Sequence, residues 1–177
     1  GCKALQSFTL SPNHPYFFLA DDALCRTADN TLLFYPNARE DRTFRIPDGI
    51  AAISAYAFYD CDLLESVVIP DSITQIPERA FYGCSALASV SLPDSLTEIG
   101  IAAFSFCAAL TDIRIPASIT EISAGLFSGC SSLATLEIPD SVTIIGGDAF
   151  FGCTSLTSMT IPDSVTEIGA NPFPRSG

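Results

Sequence analysis

The chain has 177 residues, 48% of them hydrophobic, which is enough for one domain with a substantial core and argues against disorder. Twenty Asp and Glu against eight Lys and Arg give a formal charge of −12, which disfavours nucleic acid and anionic membranes as partners. No apolar run approaches the roughly 20 residues of a membrane-spanning helix, so we expect no direct membrane insertion. The start shows neither an initiator Met nor a signal-peptide pattern, so we expect a mature form or an excised piece of a longer protein.

The first predicted elements are two strand-like segments separated by a long insertion. "CKALQSFTLSP" begins at Cys2 and has Leu10 before its proline, and "RTFRIP" has Phe44 and Ile46 in inward positions. From Leu10 to Ile46 is 36 residues, thirteen more than the 23-residue step found later in the chain. The intervening residues have turn signals flanked by apolar runs, which predicts a hairpin. Residues 1–46 are therefore predicted to be a partial repeat followed by an enlarged, hairpin-bearing repeat.

Aromatic residues are concentrated in this insertion. We expect most of them to pack, but an irregular loop on a regular scaffold is also the feature best suited to give binding specificity. They are Tyr16, Phe17, Phe18, Phe34 and Tyr35.

From residue 47 to residue 177 the sequence repeats every 23 residues. The recurring positions form columns: Pro47, Pro70, Pro93, Pro116, Pro139 and Pro162; Ile53, Ile76, Ile99, Ile122, Ile145 and Ile168; Phe58, Phe81, Phe104, Phe127, Phe150 and Phe173; Cys61, Cys84, Cys107, Cys130 and Cys153. Several columns with one period predict a solenoid, and this period lies in the leucine-rich-repeat range of about 20–29 residues.

A single repeat shows how each coil should fold. In "CSALASVSLP" the apolar residues Leu87, Val90 and Leu92 have L-x-x-L-x-L spacing, and the last two alternate as a short strand requires. Pro93 ends the strand because it has no N–H for a ladder bond. The predicted fold is a single right-handed leucine-rich-repeat solenoid, with a short-stranded parallel β-sheet on its concave face. Its back is predicted to be mostly turns and irregular segments with little helix.

The segment "CSSLATLEIPDSVTIIGGDAFFGC" (residues 130–153) closely resembles the BspA-like, or treponemal, class of leucine-rich repeat. The likeness is strong over residues 47–173 and weaker before them. Proteins of this family are typically bacterial surface or secreted proteins, and several act in adhesion or host-protein binding. The resemblance therefore implies an extracellular or cell-surface location and a partner that is a protein or glycan on a host or neighbouring cell.

The cysteine column has a structural interpretation. Close pairs such as C-x-x-C, typical of metal sites, do not occur, and parallel stacked side chains are poorly oriented for disulfides. We expect small buried thiols that pack against backbone, and we predict no metal site and no cofactor. Reduced cysteines are unusual outside the cell, although burial would explain their survival. Cys25 lies off the column, and Cys2 is interpreted as a column cysteine, with a lipid-modified lipoprotein residue as the alternative.

Acidic residues also form columns. Carboxylates that follow the prolines could hold a bridging cation, but a solvated edge with Asp capping each turn is the favoured interpretation. These residues are Asp48, Asp71, Asp94, Asp140 and Asp163, with Glu98, Glu121 and Glu167 in a second column.

One charged cluster is a candidate catalytic site. Arg114 and Glu137 occupy equivalent outward positions in adjacent coils and are predicted to form a salt bridge. With Asp112, Glu137 could in principle serve glycoside chemistry. An exposed ion-pair cluster is favoured, and because no enzyme motif is present, the protein is predicted not to be an enzyme.

The outward strand positions form the candidate binding face, which is mostly small, polar and without an aromatic anchor. They are Glu65, Ser66, Val68, Ser89, Ser91, Thr111, Asp112, Arg114, Thr135, Glu137, Thr157, Ser158 and Thr160. Two functions remain open: a non-enzymatic binding or adhesion module that uses this face or the insertion, and an inert spacer that projects another domain.

Overall fold

A computed structural model describes residues 4–173 of the chain. Cys2 and Ser176, the latter at a position where the period calls for cysteine, lie outside these residues. In the described part there is no α-helix, and accordingly no helix that could span a membrane. The strands are β1 (Phe17–Ala20), β2 (Ala23–Arg26), β3 (Thr31–Phe34), β4 (Thr43–Arg45), β5 (Ala52–Ile53), β6 (Ser66–Val68), β7 (Gln75–Ile76), β8 (Ser89–Ser91), β9 (Glu98–Ile99), β10 (Glu121–Ile122), β11 (Ile144–Ile145) and β12 (Glu167–Ile168).

The predicted parallel sheet is formed by β4, β6 and β8. Phe44 pairs with Val67 and Val67 with Val90, so each step between strands is one 23-residue coil. Phe44 and Val67 are buried, while Thr43 and Arg45 on either side of Phe44 are exposed. This alternation is the one that the sequence predicts for a strand with one face on a core.

A second column of parallel strands follows the isoleucines. In it β7 pairs with β9, and β10 pairs with β11, which pairs with β12. The sequence predicts the inward direction of these isoleucines but not their pairing, because a two-residue strand is too short to show an alternating pattern.

A ladder of phenylalanine rings forms the centre of the core. Phe58, Phe81, Phe104, Phe127 and Phe150 are fully buried. Neighbouring rings are stacked, with centroid separations from 4.7 to 6.1 Å. The ladder continues upstream to Tyr35, which is 23 residues before Phe58 and stacks on it at 5.2 Å. The coils therefore share one continuous aromatic column that crosses from the regular repeats into the insertion.

The inserted residues form an antiparallel meander. β1 pairs with β2 and β2 with β3, with a bulge between Leu24 and Cys25. β3 then pairs with β5 in parallel, so that Leu32 lies beside Ile53 and the meander joins the solenoid directly. Arg39 also ties the meander down, since it donates hydrogen bonds to Asp21 in the β1–β2 turn and to Asp41.

Candidate functional site

The candidate binding face, here called the strand face, points outward along its whole length. Its residues in the later coils, from Ser89 to Thr160, are exposed, and Glu65, Ser66 and Val68 are half-buried. The residues between them, such as Ile113 and Leu136, are buried. Among the described residues, the large exposed hydrophobic side chains lie off the strand face, except for Ile161 in the last coil.

The strand face loses its hydrogen-bonded strand ladder after β8. Residues 111–115, 134–138 and 157–161 occupy the strand positions of the next coils, but within the described chain they form no strand ladder. Two grooves lie between these segments. One, of about 520 Å³, is lined by Asp112, Arg114, Thr135 and Glu137 among others, and the next, of about 570 Å³, by Thr135, Glu137, Ser158 and Thr160 among others.

The spacing of the core rings differs between the same two regions. Centroids are 4.7 Å apart for Phe58–Phe81 and 5.3 Å for Phe81–Phe104, but 6.1 Å for Phe104–Phe127 and 6.0 Å for Phe127–Phe150. Strands must lie about 4.8 Å apart to hydrogen-bond. The wider ring spacing therefore coincides with the loss of the ladder on the strand face, although β10, β11 and β12 of the same coils still pair with one another.

The predicted Arg114–Glu137 salt bridge is wrong. Arg114 Nη1 instead donates to Asp94 Oδ1 at 2.8 Å, in the turn of the preceding coil. Asp112 accepts a hydrogen bond from its neighbour Thr111. The groove thus has Glu137 on one wall and an Arg114–Asp94 pair on the other.

The cysteine column packs against backbone, as predicted. The six cysteines of the described residues are free and buried. Sγ of Cys84, Cys107, Cys130 and Cys153 lies 2.9–3.2 Å from the carbonyl oxygen of the phenylalanine 26 residues earlier. Burial raises the pKa of the Cys153 thiol from 9.0 to about 11, so this thiol is protonated at neutral pH and is a poor nucleophile.

The acidic columns lie on exposed edges, and in residues 4–173 no group of three His, Cys, Asp or Glu is placed to hold a metal ion. Three of the serines beside these aspartates, Ser72, Ser95 and Ser141, bond between coils. Ser72 and Ser141 donate to carbonyls of the preceding coil, at Ile50 and Ile119, with distances of 2.7 and 2.6 Å. The recurring Asp-Ser pair therefore joins neighbouring coils as well as making a turn.

A cavity of about 710 Å³, here called the insert pocket, lies where the meander meets the first regular coils. Its lining is almost entirely apolar and comes from three parts of the chain: Leu5 and Phe8; Leu24, Leu33, Phe34 and Asn37; and Ala55, Tyr56, Tyr59 and Asp60. Phe8 meets Phe34 edge to face at 5.8 Å. Pockets of this size and composition, with few polar groups, are typical of ligand sites.

Asn37 is the notable polar residue of the insert pocket. The residue is 9% exposed, and its Nδ2 donates to the Tyr59 carbonyl at 2.5 Å. That bond orients the amide and leaves Oδ1 buried without a hydrogen-bond partner. A buried acceptor without a donor costs about 1–3 kcal/mol.

An aromatic ridge of Tyr56, Tyr59, Tyr82 and Phe106 leads away from the pocket. Tyr59 stacks on Tyr82 at 5.1 Å, and Tyr82 meets Phe106 edge to face at 5.2 Å. Phe106 is 50% exposed and Tyr56 42% exposed. Exposed contiguous aromatic surface is unusual on a solvated protein and marks interaction sites.

Sequence reasoning identified the insertion as a candidate for specificity but missed most of the pocket. Of the five aromatic residues predicted there, only Phe34 lines it; Tyr35 is in the core, and Tyr16 is exposed. One available signal was that Tyr59 and Tyr82 are 23 residues apart at a position with no apolar requirement in other coils. Asn37 stands one period before Asp60, and the later residues at this position, Gly83 and Phe106, differ so much in type that spacing does not predict its burial.

Stacked coils with a parallel strand column and a cysteine–carbonyl column define a leucine-rich-repeat solenoid. The pattern of the BspA type leucine-rich repeat region matches residues 45–177 in six copies, and the chain belongs to this family. No curated protein matches the chain.

Solved structures agree with this assignment. A leucine-rich repeat protein from Eubacterium ventriosum is 24% identical, with a TM-score of 0.85, over 97% of this chain and 53% of its own. A leucine rich cell surface protein from Faecalibacterium prausnitzii is 34% identical, with a TM-score of 0.77, over 92% and 40%. A leucine-rich repeat protein from T. pallidum is 28% identical, with a TM-score of 0.68, over 94% and 84%. The chain thus spans about half the length of the first of these proteins and less of the second.

Proposed function

We propose that the chain is a non-enzymatic binding module of a cell-surface or secreted protein, and that it engages a protein or glycan through the strand face. The observation that carries this proposal is the pair of grooves on the outward side of residues 111–160. They combine exposed charges, at Asp112, Arg114 and Glu137, with backbone that forms no strand ladder among the described residues, where Ala134 N–H donates to the Thr111 carbonyl. A partner strand or polar chain can bond to such groups.

The surface location is supported by relatives. One similar structure is described as a leucine rich cell surface protein and another as a pneumococcal vaccine antigen, PcpA. The test is accessibility on intact producing cells. Antibodies raised against the purified chain should label these cells, or should detect the chain in their medium, without permeabilisation. Labelling that requires permeabilisation would contradict the proposed location.

Binding is tested with a panel of matrix proteins, host cells and glycans. The purified chain is compared with a triple variant carrying Ser89→Arg, Thr111→Arg and Thr135→Arg, three exposed positions that have no partner in the core. We expect saturable binding that falls at least tenfold in the variant, because bulky charges would close the face. Binding that the variant retains in full would contradict the strand face as the site.

A spacer role is the second candidate. It is favoured by the absence of aromatic side chains among the strand-face residues, since interface hot spots are enriched in Tyr, Trp and Arg. Under this alternative the chain binds nothing on the panel, and a longer protein that contains it binds through another domain. Binding by the isolated chain would exclude a purely inert spacer.

A further inference from the structure

We infer that the aromatic ridge is a second binding site, and that its partner is a basic protein segment with an arginine side chain that stacks on Phe106. The ridge lies in the turns around the phenylalanine column and contains no residue of the strand face, so the inference stands apart from the strand-face proposal. It rests on the strained backbone that carries the exposed ring, on an arginine that already lies on a ridge ring, and on the charges beside them.

The backbone at Phe106 disfavours its own side chain. Its φ of 60° is left-handed, and so is φ at the same place in the other regular coils, at Asp60, Gly83, Gly129 and Gly152. Glycine adopts this conformation without strain, whereas a bulky side chain does not. The residue is also 50% exposed, so burial returns little stability. Stability alone therefore favours glycine at this position, and strain of this kind clusters at ligand-binding sites.

The Phe106 ring is supported from behind by the next coil. A Cβ built on Gly129 would lie 2.6 Å from Cδ1 and 3.0 Å from Cε1 of the ring, so the ring lies against the backbone there. Tyr82 meets the ring edge to face at 5.2 Å, and Tyr82 is itself stacked on Tyr59. These contacts fix the position of the ring while half of the residue stays open to a partner.

Arg79 shows which group these rings accept. Its guanidinium lies 5.9 Å from the centre of the Tyr56 ring, and its Nη1 donates to the Tyr56 hydroxyl at 2.9 Å and pairs with Glu78 at 2.7 Å. Guanidinium groups stack on aromatic rings because the face of the ring is electron-rich. Among the described residues, no cation–π contact is made to Tyr82 or Phe106. A second arginine, supplied by a partner, fits these rings in the same way.

The charges beside the ridge favour a cationic partner. Three carboxylates and one basic residue occur in the segments that carry the rings, 56–62, 78–85 and 101–108: Asp60, Asp62, Glu78 and Arg79. Three negative charges and one positive charge give a net −2 in a chain of −12. Asp60 lies against Gly83, and Phe106 follows one coil later. This field attracts a basic segment, whereas a neutral glycan gains nothing from it.

The experiment compares peptides of equal charge and length. The probes are Gly-Arg-Gly-Arg-Gly-Arg-Gly and its lysine counterpart, with a citrulline peptide as the neutral analogue of similar shape. Each carries a neutral fluorophore and is titrated with the purified chain while its anisotropy is measured. We expect the arginine peptide to bind about fivefold more tightly than the lysine peptide, because the planar guanidinium stacks on the ring. Attraction to an acidic chain alone predicts equal binding of the two.

The citrulline peptide tests the charge separately. It retains the planar end group but has lost the positive charge, so it should bind at least about tenfold more weakly than the arginine peptide. Citrulline binding as tight as that of arginine would mean that the ridge does not recognise a cation.

Phe106→Gly isolates the ridge from the rest of the surface. The preference for arginine over lysine should fall to about one, and the melting temperature should not fall because the backbone strain is relieved. Phe106→Leu keeps an apolar side chain in place and should also lose the preference, because leucine has no aromatic face. The matched control is Tyr16→Ala, which removes an exposed ring of the insertion and should change neither quantity.

Each other outcome counts against the proposal. No binding of the arginine peptide, equal affinities for arginine and lysine, or a preference that Phe106→Gly retains would overturn it. A melting temperature more than about 5 °C lower in Phe106→Gly would show that the ring serves stability and would overturn the argument from strain. Neutral oligosaccharides are titrated in parallel. If they bind saturably, lose binding in Phe106→Gly and arginine shows no preference, the ridge is a glycan site instead.

Discussion

The regular coils and the insertion both supply rings to the same core ladder, yet they leave different surfaces. In the coils, Phe81 or Phe104 is covered above and below by identical rings, and the neighbouring coil fills the space beside it. In the insertion, Tyr35 takes the corresponding place in the ladder, but the chain around it folds as an antiparallel meander. Inside the periodic part the ring ladder is therefore filled without a gap, whereas the junction with a non-periodic part leaves the insert pocket.

This difference between the regular coils and the insertion indicates which positions of such a solenoid can change to create a binding site. Side chains of the inward columns are constrained by two neighbouring coils at once, so few of them can change alone. Residues of the antiparallel meander such as Leu24 have no equivalent in the other coils and are free of that constraint. The following comparisons test this view by pairing a residue inside a periodic column with a residue outside it.

The largest effect is expected from breaking the ring ladder. Phe104→Ala removes a fully buried ring that stacks on Phe81 and Phe127 and should lower the free energy of unfolding by about 3–5 kcal/mol. Phe106→Ala, two residues away and 50% exposed, should cost less than about 1 kcal/mol. Urea unfolding followed by circular dichroism measures both. Similar losses in the two variants would contradict the ladder as the main source of stability.

Substitutions of Arg39 and Arg114 compare an arginine that holds the insertion against the coils with an arginine in a surface ion pair. Arg39 has a side chain only 12% exposed, lies 5.8 Å from the Tyr35 ring and pairs with Asp41 at 2.7 Å. Arg39→Leu should therefore cost about 2–3 kcal/mol. Arg114→Leu, whose pair with Asp94 is about three-quarters exposed on both sides, should cost under about 0.5 kcal/mol.

Proteolysis shows whether the Arg39 effect is local. If Arg39 fastens the meander to the coils, limited proteolysis of Arg39→Leu should cut first within residues 11–46, while the regular coils stay intact. Cleavage spread evenly along the chain would mean that the substitution unfolds the whole solenoid instead.

Gly146 and Gly49 test the close approach of neighbouring coils. A Cβ on Gly146 would lie 2.4 Å from the backbone nitrogen of Ala124, whereas a Cβ on Gly49 would meet nothing within 4 Å. We expect Gly146→Ala to cost about 2 kcal/mol by forcing two coils apart. Gly49→Ala should be neutral or slightly stabilising. Thermal unfolding of both variants checks this, and equal melting temperatures would show that the coils can separate without cost.

The sequence predicts the fold well because the same residue pattern recurs in each 23-residue coil. The inward direction of Val67, the burial of Cys107 and the 23-residue register of the parallel strands each follow from columns that agree with one another. Tyr35 could also have been placed, since it stands one period before Phe58. A repeated pattern tolerates local irregularity because neighbouring coils supply the same information again.

The candidate sites are harder to predict because each depends on contacts that occur only once in the described chain. Nothing periodic indicates that Asn37 Oδ1 is buried without a donor, since this follows from one bond to Tyr59. The salt-bridge prediction for Arg114 failed for a similar reason. Equivalent positions were assumed to lie at ladder spacing, but residues 111–115 and 134–138 form no strand ladder, and Asp94 is within reach of Arg114.

The smallest effect concerns the cysteine column and alkaline pH. Burial raises the pKa of the Cys153 thiol from 9.0 to about 11, so the folded state holds this proton where the unfolded state releases it. The stabilisation is complete below about pH 9 and is lost as pH rises toward 11. Between pH 8 and 9.5 the loss for this thiol should be under about 1 kcal/mol. The stability difference between the wild type and Cys153→Ala, from urea unfolding, should narrow by this amount over that interval. A constant difference would mean that Cys153 titrates as it does in the unfolded chain, and that the carbonyl of Phe127 is not facing a protonated thiol.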